Sequence, residues 1–399
     1  MNKVRMAIIG TGGMGSGHAK MVQAIEEVHL CAVSDIRPEV AQKVAEQFSI
    51  PAYSDNRAML KKEKPDFVIV ATPHPAHMQV ALDAFAAGAH VLCEKPLASN
   101  LIEADKMIQA AEKRGKLLGT MLQMRTEPAK KKVREIVLSG ILGEIYRVNM
   151  VASGYRSQAY YNSGAWRGTW AGEGGGVLIN QAPHDLDQFI WLGGKPDTVT
   201  GRVDTRIHDI EVEDSASAMV TYPNGARGYI HVSTVEHPGT WQIEICGNTG
   251  KLAFDGTTIK LWLLDTSITD FTRNSTVVWS FPPVKEQPVE IPAESEPGSS
   301  EPGSTDAAAL ATQIKPGETV AGMNAVQLTA HAKVTRDFAH AIMENRQPLA
   351  PGREGILSLE LANAIIFSSY KGKTVELPLN RAAYNRFFKE KGKTSRFKT

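Results

Sequence analysis

The chain is sparing with cysteine, with aromatic residues and with excess charge of either sign. Its three cysteines (Cys31, Cys93 and Cys246) are far apart and show no paired spacing. That argues against a disulfide framework or a cysteine zinc site and suits a reducing, cytoplasmic compartment. Lys plus Arg number 44 against 43 Asp plus Glu, so no global field selects nucleic acid or an acidic partner. No apolar run approaches the roughly 20 residues of a membrane span. The run from Met6 to Ile9 is too short for a signal-peptide core and stops at glycine. The expectation is a soluble cytoplasmic chain with neither a membrane nor a nucleic-acid partner.

What the sequence does contain is 399 residues, 42% of them hydrophobic, enough for two domains each with its own core. Short apolar runs at Val4–Ile9, 30–34, 67–71, His90–Cys93 and 117–122 alternate with helical patterns at 18–27, Pro38–Phe48, 77–87 and 102–114. That alternation predicts a Rossmann-type, doubly wound parallel sheet over residues 1–123. Its strands are apolar almost throughout, as strands covered on both faces must be. Beyond 123 a helix at 129–139 leads into longer alternating runs, with hairpin turns at Pro223-Asn224-Gly225 and Asn248-Thr249-Gly250. An α+β domain with a mostly antiparallel open sheet is expected over 124–380. Inside it, 282–318 reads as a flexible insertion of Glu-Pro-Gly-Ser units. Residues 381–399 read as a basic tail, solvated or in a subunit contact.

Gly10-Thr11-Gly12-Gly13-Met14-Gly15 fits G-x-G-x-x-G between a strand and a helix. Gly10 permits the tight turn, Gly12 allows backbone to approach a pyrophosphate, and Gly15 lets helix and strand pack closely. The helix N-terminus, including Gly13 and Met14, offers unpaired N–H groups to phosphate. Asp35 ends the second strand 20 positions after Gly15, where a carboxylate accepts both ribose hydroxyls and repels a 2′-phosphate. NAD is therefore expected, although Arg37 could hold that phosphate and keeps NADP open.

Three further motifs follow in order: Ala71-Thr72-Pro73-x-x-x-His77, then Cys93-Glu94-Lys95-Pro96-Leu97, then Gly174-Gly175-Gly176 with His184 eight residues beyond. With the glycine turn they resemble the glucose–fructose oxidoreductase/inositol dehydrogenase/MocA family over nearly the whole chain. The resemblance implies hydride transfer between nicotinamide and a secondary alcohol of a sugar, glycoside or cyclic polyol, by a homodimer or homotetramer. It implies that Lys95 and His184 flank the reacting carbinol. The lysine ammonium would stabilise alkoxide character and the histidine would take or return the hydroxyl proton. Thr72, Pro73, His74, His77 and Glu94 would line the cofactor, with Glu94 orienting Lys95 or meeting the cofactor amide. No metal is expected, since His74 and His77 have no nearby third ligand.

A helix running from Val177 would put Asn180, His184 and Asp187 on one face, with Pro183 able to kink it. Many relatives carry aspartate where this chain has Asn180, so negative charge next to His184 must come from elsewhere, and Asp187 is the candidate. Arg125, Tyr155, Arg156, Trp166 and Arg167 join Lys95, Asn180, His184 and Asp187 as expected substrate contacts. Aromatic faces pack on sugar C–H surfaces, and arginines reach hydroxyls. Two other functions fit the same motifs. One is a glycoside-cleaving hydrolase or lyase that keeps NAD bound for transient oxidation. The other is a sugar or nucleotide sensor, which would need neither Lys95 nor His184.

Overall fold

A computed structural model describes residues 3–292 and 325–397, with side chains from 330 in the second stretch. The chain divides into two compact units. The first holds residues up to Glu127 together with Ala293–Leu359, and the second holds Pro128–Pro292 and Glu360–Thr399.

In the first unit six strands form a wholly parallel sheet: β1 (Val4–Ile9), β2 (Val28–Ser34), β3 (Ala52–Tyr53), β4 (Phe67–Val70), β5 (His90–Cys93) and β6 (Leu118–Thr120). Their order is β3-β2-β1-β4-β5-β6, so the chain reverses its direction of winding between β1 and β4, where such sheets bind ligands. Helices α1 (Gly13–Met21), α2 (Pro38–Phe48), α3 (Asn56–Glu63), α4 (His77–Ala86) and α5 (Leu101–Lys113) make the crossovers. Met6, Ile8, Phe67 and Ile69 are fully buried, which explains their continuous apolar runs. The sequence reading missed β3 and α3. β3 is two residues long, and α3 is mostly polar with only Met59 and Leu60 buried.

In the second unit α6 (Pro128–Leu138) precedes β7 (Ile145–Ser153). After α7 (Gln158–Asn162), α8 (Val177–Asn180) and α9 (Pro183–Gly193) come strands β8 (Thr198–Asp204) to β10 (Arg227–Ser233), with β9 at Ser215–Thr221. Strands β11 (Trp241–Gly247), β12 (Gly250–Phe254), β13 (Ile259–Leu264), β14 (Val284–Gln287) and β15 (Val375–Glu376) complete a nine-stranded sheet. Among the described residues the only parallel pair in it is β7 with β10, so the sheet is mostly antiparallel as expected. Burial alternates along β9, β10 and β11, the mark of one covered face.

Two regions differ from the sequence reading. Strand β14 occupies part of the segment read as a flexible insertion, because Val284–Gln287 pairs with β13; 293–318 of that segment lie outside the described residues. Between α10 (Ile268–Asn274) and α11 (Ala325–Met343) no other helix is described, and α12 covers Gly352–Lys371. The basic tail is a helix, α13 (Arg381–Lys393), not a solvated strand of chain. Aromatic residues among its lysines decide this: Tyr384 and Phe387 are buried against Phe367, and Phe387 also meets Trp170.

Candidate active site

The candidate residues fall into two groups, one in each unit. In the first, every motif lies at the carboxyl edge of the parallel sheet. Gly10 follows β1 with φ +89°, a conformation that favours glycine, and a Cβ there would sit 2.7 Å from the Ala71 carbonyl oxygen. At Gly15 a Cβ would lie 1.8 Å from the Gly10 carbonyl oxygen, so α1 can start this close to β1 only without a side chain. Around Gly12 and Gly13 a Cβ would meet nothing within 4 Å, and the amino end of α1 has no side-chain cap. The turn thus presents open space and unsatisfied N–H groups.

Asp35 follows β2 and is buried. Its Oδ2 accepts from Thr11 N at 2.9 Å and its Oδ1 from Arg37 N at 3.0 Å. The carboxylate therefore fixes the glycine turn. Ile36 beside it is 90% exposed, and so is most of the Arg37 side chain. Thr72, after β4, has an Oγ1 with no hydrogen-bond partner among the described residues, and Pro73 is exposed. These features fit a dinucleotide: an open phosphate cradle, a carboxylate for ribose, an exposed apolar side chain for the base and an orphan hydroxyl.

His77 departs from the sequence expectation. Its ring is fully buried and its nitrogens lie 3.0 Å from the Pro96 carbonyl and 2.8 Å from the Thr72 carbonyl. Burial pushes its pKa down, against the pull of those carbonyls. It clasps the loops after β4 and β5 through those two carbonyls. His74 is buried with its ring edge-on to His77 at 5.7 Å. Among the described residues no cluster of three or more His, Cys, Asp or Glu could hold a metal ion.

Glu94 and Lys95 follow β5. Glu94 is buried at the end of the sheet and Lys95 beside it is half-buried. Glu94 Oε1 accepts from His18 Nε2 at 2.7 Å, and Oε2 accepts from the Lys95 backbone N–H at 3.2 Å. Burial pushes the Glu94 carboxyl up, but the His18 hydrogen bond and the pull of His18, His331 and Lys95 outweigh it and hold the pKa at about 2. His18 lies on α1 and its ring stacks edge-on with His331 of α11 at 5.6 Å. The sequence reading missed both histidines; the available signal was a histidine on the buried face of the helix opened by the glycine turn. Arg125 also departs from expectation. It is buried, pairs with Glu354 and donates to the Leu349 carbonyl at 3.3 Å, so it braces the loop after β6. A buried guanidinium is held by partners of this kind.

In the second unit Asn180 and His184 do not share one helix. α8 ends at Asn180 and α9 begins at Pro183, which occupies its first turn. Proline lacks the N–H that would continue α8 and is preorganised to start a helix. Asn180, His184 and Asp187 are all buried, and Gln188 Nε2 lies 3.4 Å from Asp187 Oδ2. Before α8, Glu213 accepts from Gly176 N at 2.9 Å and Leu178 N at 3.1 Å, both on Oε1. Burial raises its pKa to about 7, against the lowering of those N–H groups and aided by the charge of Glu173.

Tyr160, Arg167, Glu173 and Asn180 form a network. Asn180 Nδ2 donates to Glu173 Oε1 and to Tyr160 Oη at 3.2 Å, and Arg167 donates to Tyr160 Oη at 2.6 Å. The Arg167 guanidinium lies 4.4 Å from the Tyr160 ring centroid and 4.6 Å from that of half-buried Trp166. The Arg156 guanidinium lies 5.6 Å from the Tyr160 ring centroid and donates to the Tyr155 carbonyl; Tyr155 is exposed. Glu173, absent from the sequence reading, is the carboxylate that meets Asn180. Its only signal was an acid directly before Gly174-Gly175-Gly176.

An open phosphate cradle on a parallel sheet, followed by a mostly antiparallel domain, defines an NAD-dependent oxidoreductase of the two-domain Rossmann class. The chain belongs to the Gfo/Idh/MocA oxidoreductases: residues 4–121 match the oxidoreductase family NAD-binding Rossmann fold, and residues 131–253 match the GFO/IDH/MocA C-terminal domain. It is 26% identical to myo-inositol 2-dehydrogenase of Thermotoga maritima over 63% of this chain and 75% of that one. It is 35% identical to D-glucoside 3-dehydrogenase of Escherichia coli over 48% of this chain, spanning only 55% of that relative. The WlbA dehydrogenase from Bordetella pertussis, solved with NADH and UDP-GlcNAcA, superimposes with TM-score 0.73 and 25% identity, covering 95% of this chain and all of that one. Among the described residues no helix is long and apolar enough to cross a membrane.

Proposed function

We propose that this oxidoreductase acts on a secondary alcohol of a sugar, glycoside or cyclic polyol, and that Lys95 and His184 handle the proton. The observation that carries this reading is the placement of Lys95. It emerges beside the phosphate cradle at the carboxyl edge of the sheet, its backbone pinned by Glu94. The activities named for the inositol and glucoside relatives support the substrate class. Gly10, Gly12, Gly13, Met14 and Gly15 would hold the pyrophosphate, Asp35 the ribose, and Thr72 and Pro73 the cofactor's approach to Lys95.

When bound, NAD supplies the hydride acceptor. The Lys95 ammonium hydrogen-bonds the substrate oxygen and stabilises the negative charge that builds on it. His184 accepts the hydroxyl proton in oxidation and returns it in reduction. Asn180, Arg156, Trp166 and Tyr155 hold the remaining hydroxyls and C–H faces. NAD is preferred over NADP because Asp35 is a buried carboxylate at the end of β2, and Arg37, though mostly exposed, turns its Nε to 3.6 Å from Asp35 Oδ1. Exposed Met219 and Tyr229 on β9 and β10, with Trp279 and Phe281 before β14, support a homo-oligomer. The buried thiols of Cys31 and Cys93 suit the cytoplasm.

The test is a carbohydrate and polyol panel read by NADH or NADPH formation. Lys95→Ala is expected to lower turnover by about 100-fold or more, in the range of positioned acid–base groups, while NAD still binds. Unchanged turnover would refute the role of Lys95. A more than tenfold preference for NADP would remove the ribose role of Asp35. Free sugar released without net NADH would show redox-assisted cleavage instead.

A further inference from the structure

The network around Asn180 assigns a task to Glu173. An amide nitrogen carries two hydrogens, and those of Asn180 Nδ2 go to Glu173 Oε1 and Tyr160 Oη. Rotating the amide would set Oδ1 against a carboxylate, acceptor facing acceptor, so its orientation is fixed. Glu173 is fully buried, and its Oε2 accepts from Gly168 N at 2.6 Å. A carboxylate held there stays ionised only with a partner cation, and Arg167 lies 3.8 Å from Oε1. The guanidinium is in turn bound to Tyr160 Oη and packed on two rings.

We infer that Glu173 is a positioning and specificity-determining residue: it turns Asn180 so that the amide meets a substrate hydroxyl through Oδ1, and it neutralises Arg167, so that the site selects uncharged carbohydrate over its carboxylate-bearing counterpart. This rests on the reading of Asn180 as a substrate contact. A second carboxylate at 180 would face Glu173, and the two could not both ionise. The amide at 180 and the acid at 173 are therefore one choice, and they can be exchanged only together.

The experiment compares wild type with Asn180→Asp, Glu173→Gln and the double variant, which reverses the donor and acceptor of the pair. Two readouts are used. Urea unfolding followed by tryptophan fluorescence tests the pairing without any substrate. Asn180→Asp is expected to shift the unfolding constant by about 100-fold or more, as expected for an uncompensated buried charge, and the double variant to recover most of it. Additive effects would overturn the pairing. NADH formation is then measured on methyl glucosides, free hexoses and inositol against glucuronate and galacturonate. Wild type is expected to prefer the neutral members, and Glu173→Gln, which leaves Arg167 without its acid, to move preference toward the uronates by about tenfold. A wild type that prefers uronates, or an unmoved Glu173→Gln, would overturn the specificity role. If wild type turns over no member, the proposed function fails, and the unfolding cycle alone decides the Glu173–Asn180 pairing.

Discussion

Glu213 offers the most quantitative check, because its carboxyl is buried against the start of α8 with only backbone donors to hold it. Its pKa rises from 4.5 to about 7, which puts the ionised form in the folded chain at a disadvantage of about 3 kcal/mol at about 1.36 kcal/mol per unit. The folded state therefore binds more protons than the unfolded state between these values, and stability falls as pH rises through the interval. Integrated from pH 5 to pH 8, the loss is about 2–3 kcal/mol. Glu213→Gln should remove this slope. Its amide oxygen can keep both bonds that now land on Oε1, while the nitrogen replaces an Oε2 that has no partner among the described residues. The resulting penalty, about 1–3 kcal/mol, applies equally at every pH and leaves the slope untouched. All six tryptophans (166, 170, 191, 241, 262 and 279) lie in the second unit, so urea unfolding by tryptophan fluorescence reads that unit. Stability is measured at pH 5, 6, 7 and 8 for both proteins, and the difference between the two slopes belongs to Glu213. Parallel lines would show that its proton does not move in this range.

Two other predictions concern the first unit. His18→Ala leaves Glu94 as a buried carboxylate without its side-chain donor and should cost ~3–5 kcal/mol, read by hydrogen exchange of β1 and β5 amides. A loss below about 1 kcal/mol would sink the pairing. Because the Glu94 pKa is depressed, its contribution in the wild type is complete above pH 4.5 and disappears as pH falls toward 2; the variant should lose this acid sensitivity. Gly15→Ala puts a methyl 1.8 Å from the Gly10 carbonyl and pushes α1 off β1. NAD affinity, by titration calorimetry, should weaken by roughly 10–100-fold, the equivalent of an overpacked contact of ~1–3 kcal/mol. An unchanged dissociation constant would refute the close-approach role of Gly15.

Local sequence carried the elements whose cause is local. β1 and α2 have the bounds that apolar runs and Pro38 dictate, and the glycine turn could be placed from spacing alone. The helix at 177–187 illustrates the limit. Spacing made it continuous, whereas Pro183 divides it, and which side of a proline a chain resumes on is decided by packing. Arg125 and His77 had the chemistry of site residues, and only burial against Glu354 and two backbone carbonyls shows their structural use. Glu173 and His18 were illegible for the opposite reason. Their partners are distant in sequence or lie across a loop, and nothing in their own neighbourhood marks them. The charge on α13 likewise concealed the aromatic residues that seat it.

The contact between His18 and Glu94 has a consequence for how this fold can be recombined. The helix opened by the glycine turn and the peptide that carries Lys95 are joined through the His18–Glu94 side-chain bond. A graft that brings a new glycine turn and helix from another dehydrogenase, to change cofactor choice, also replaces the anchor of the lysine. Position 18 must then travel with position 94, or the hybrid will bind its nucleotide and present its lysine in the wrong place. The practical module for exchange is β1, α1 and the Glu94-Lys95 corner taken as a single inheritance.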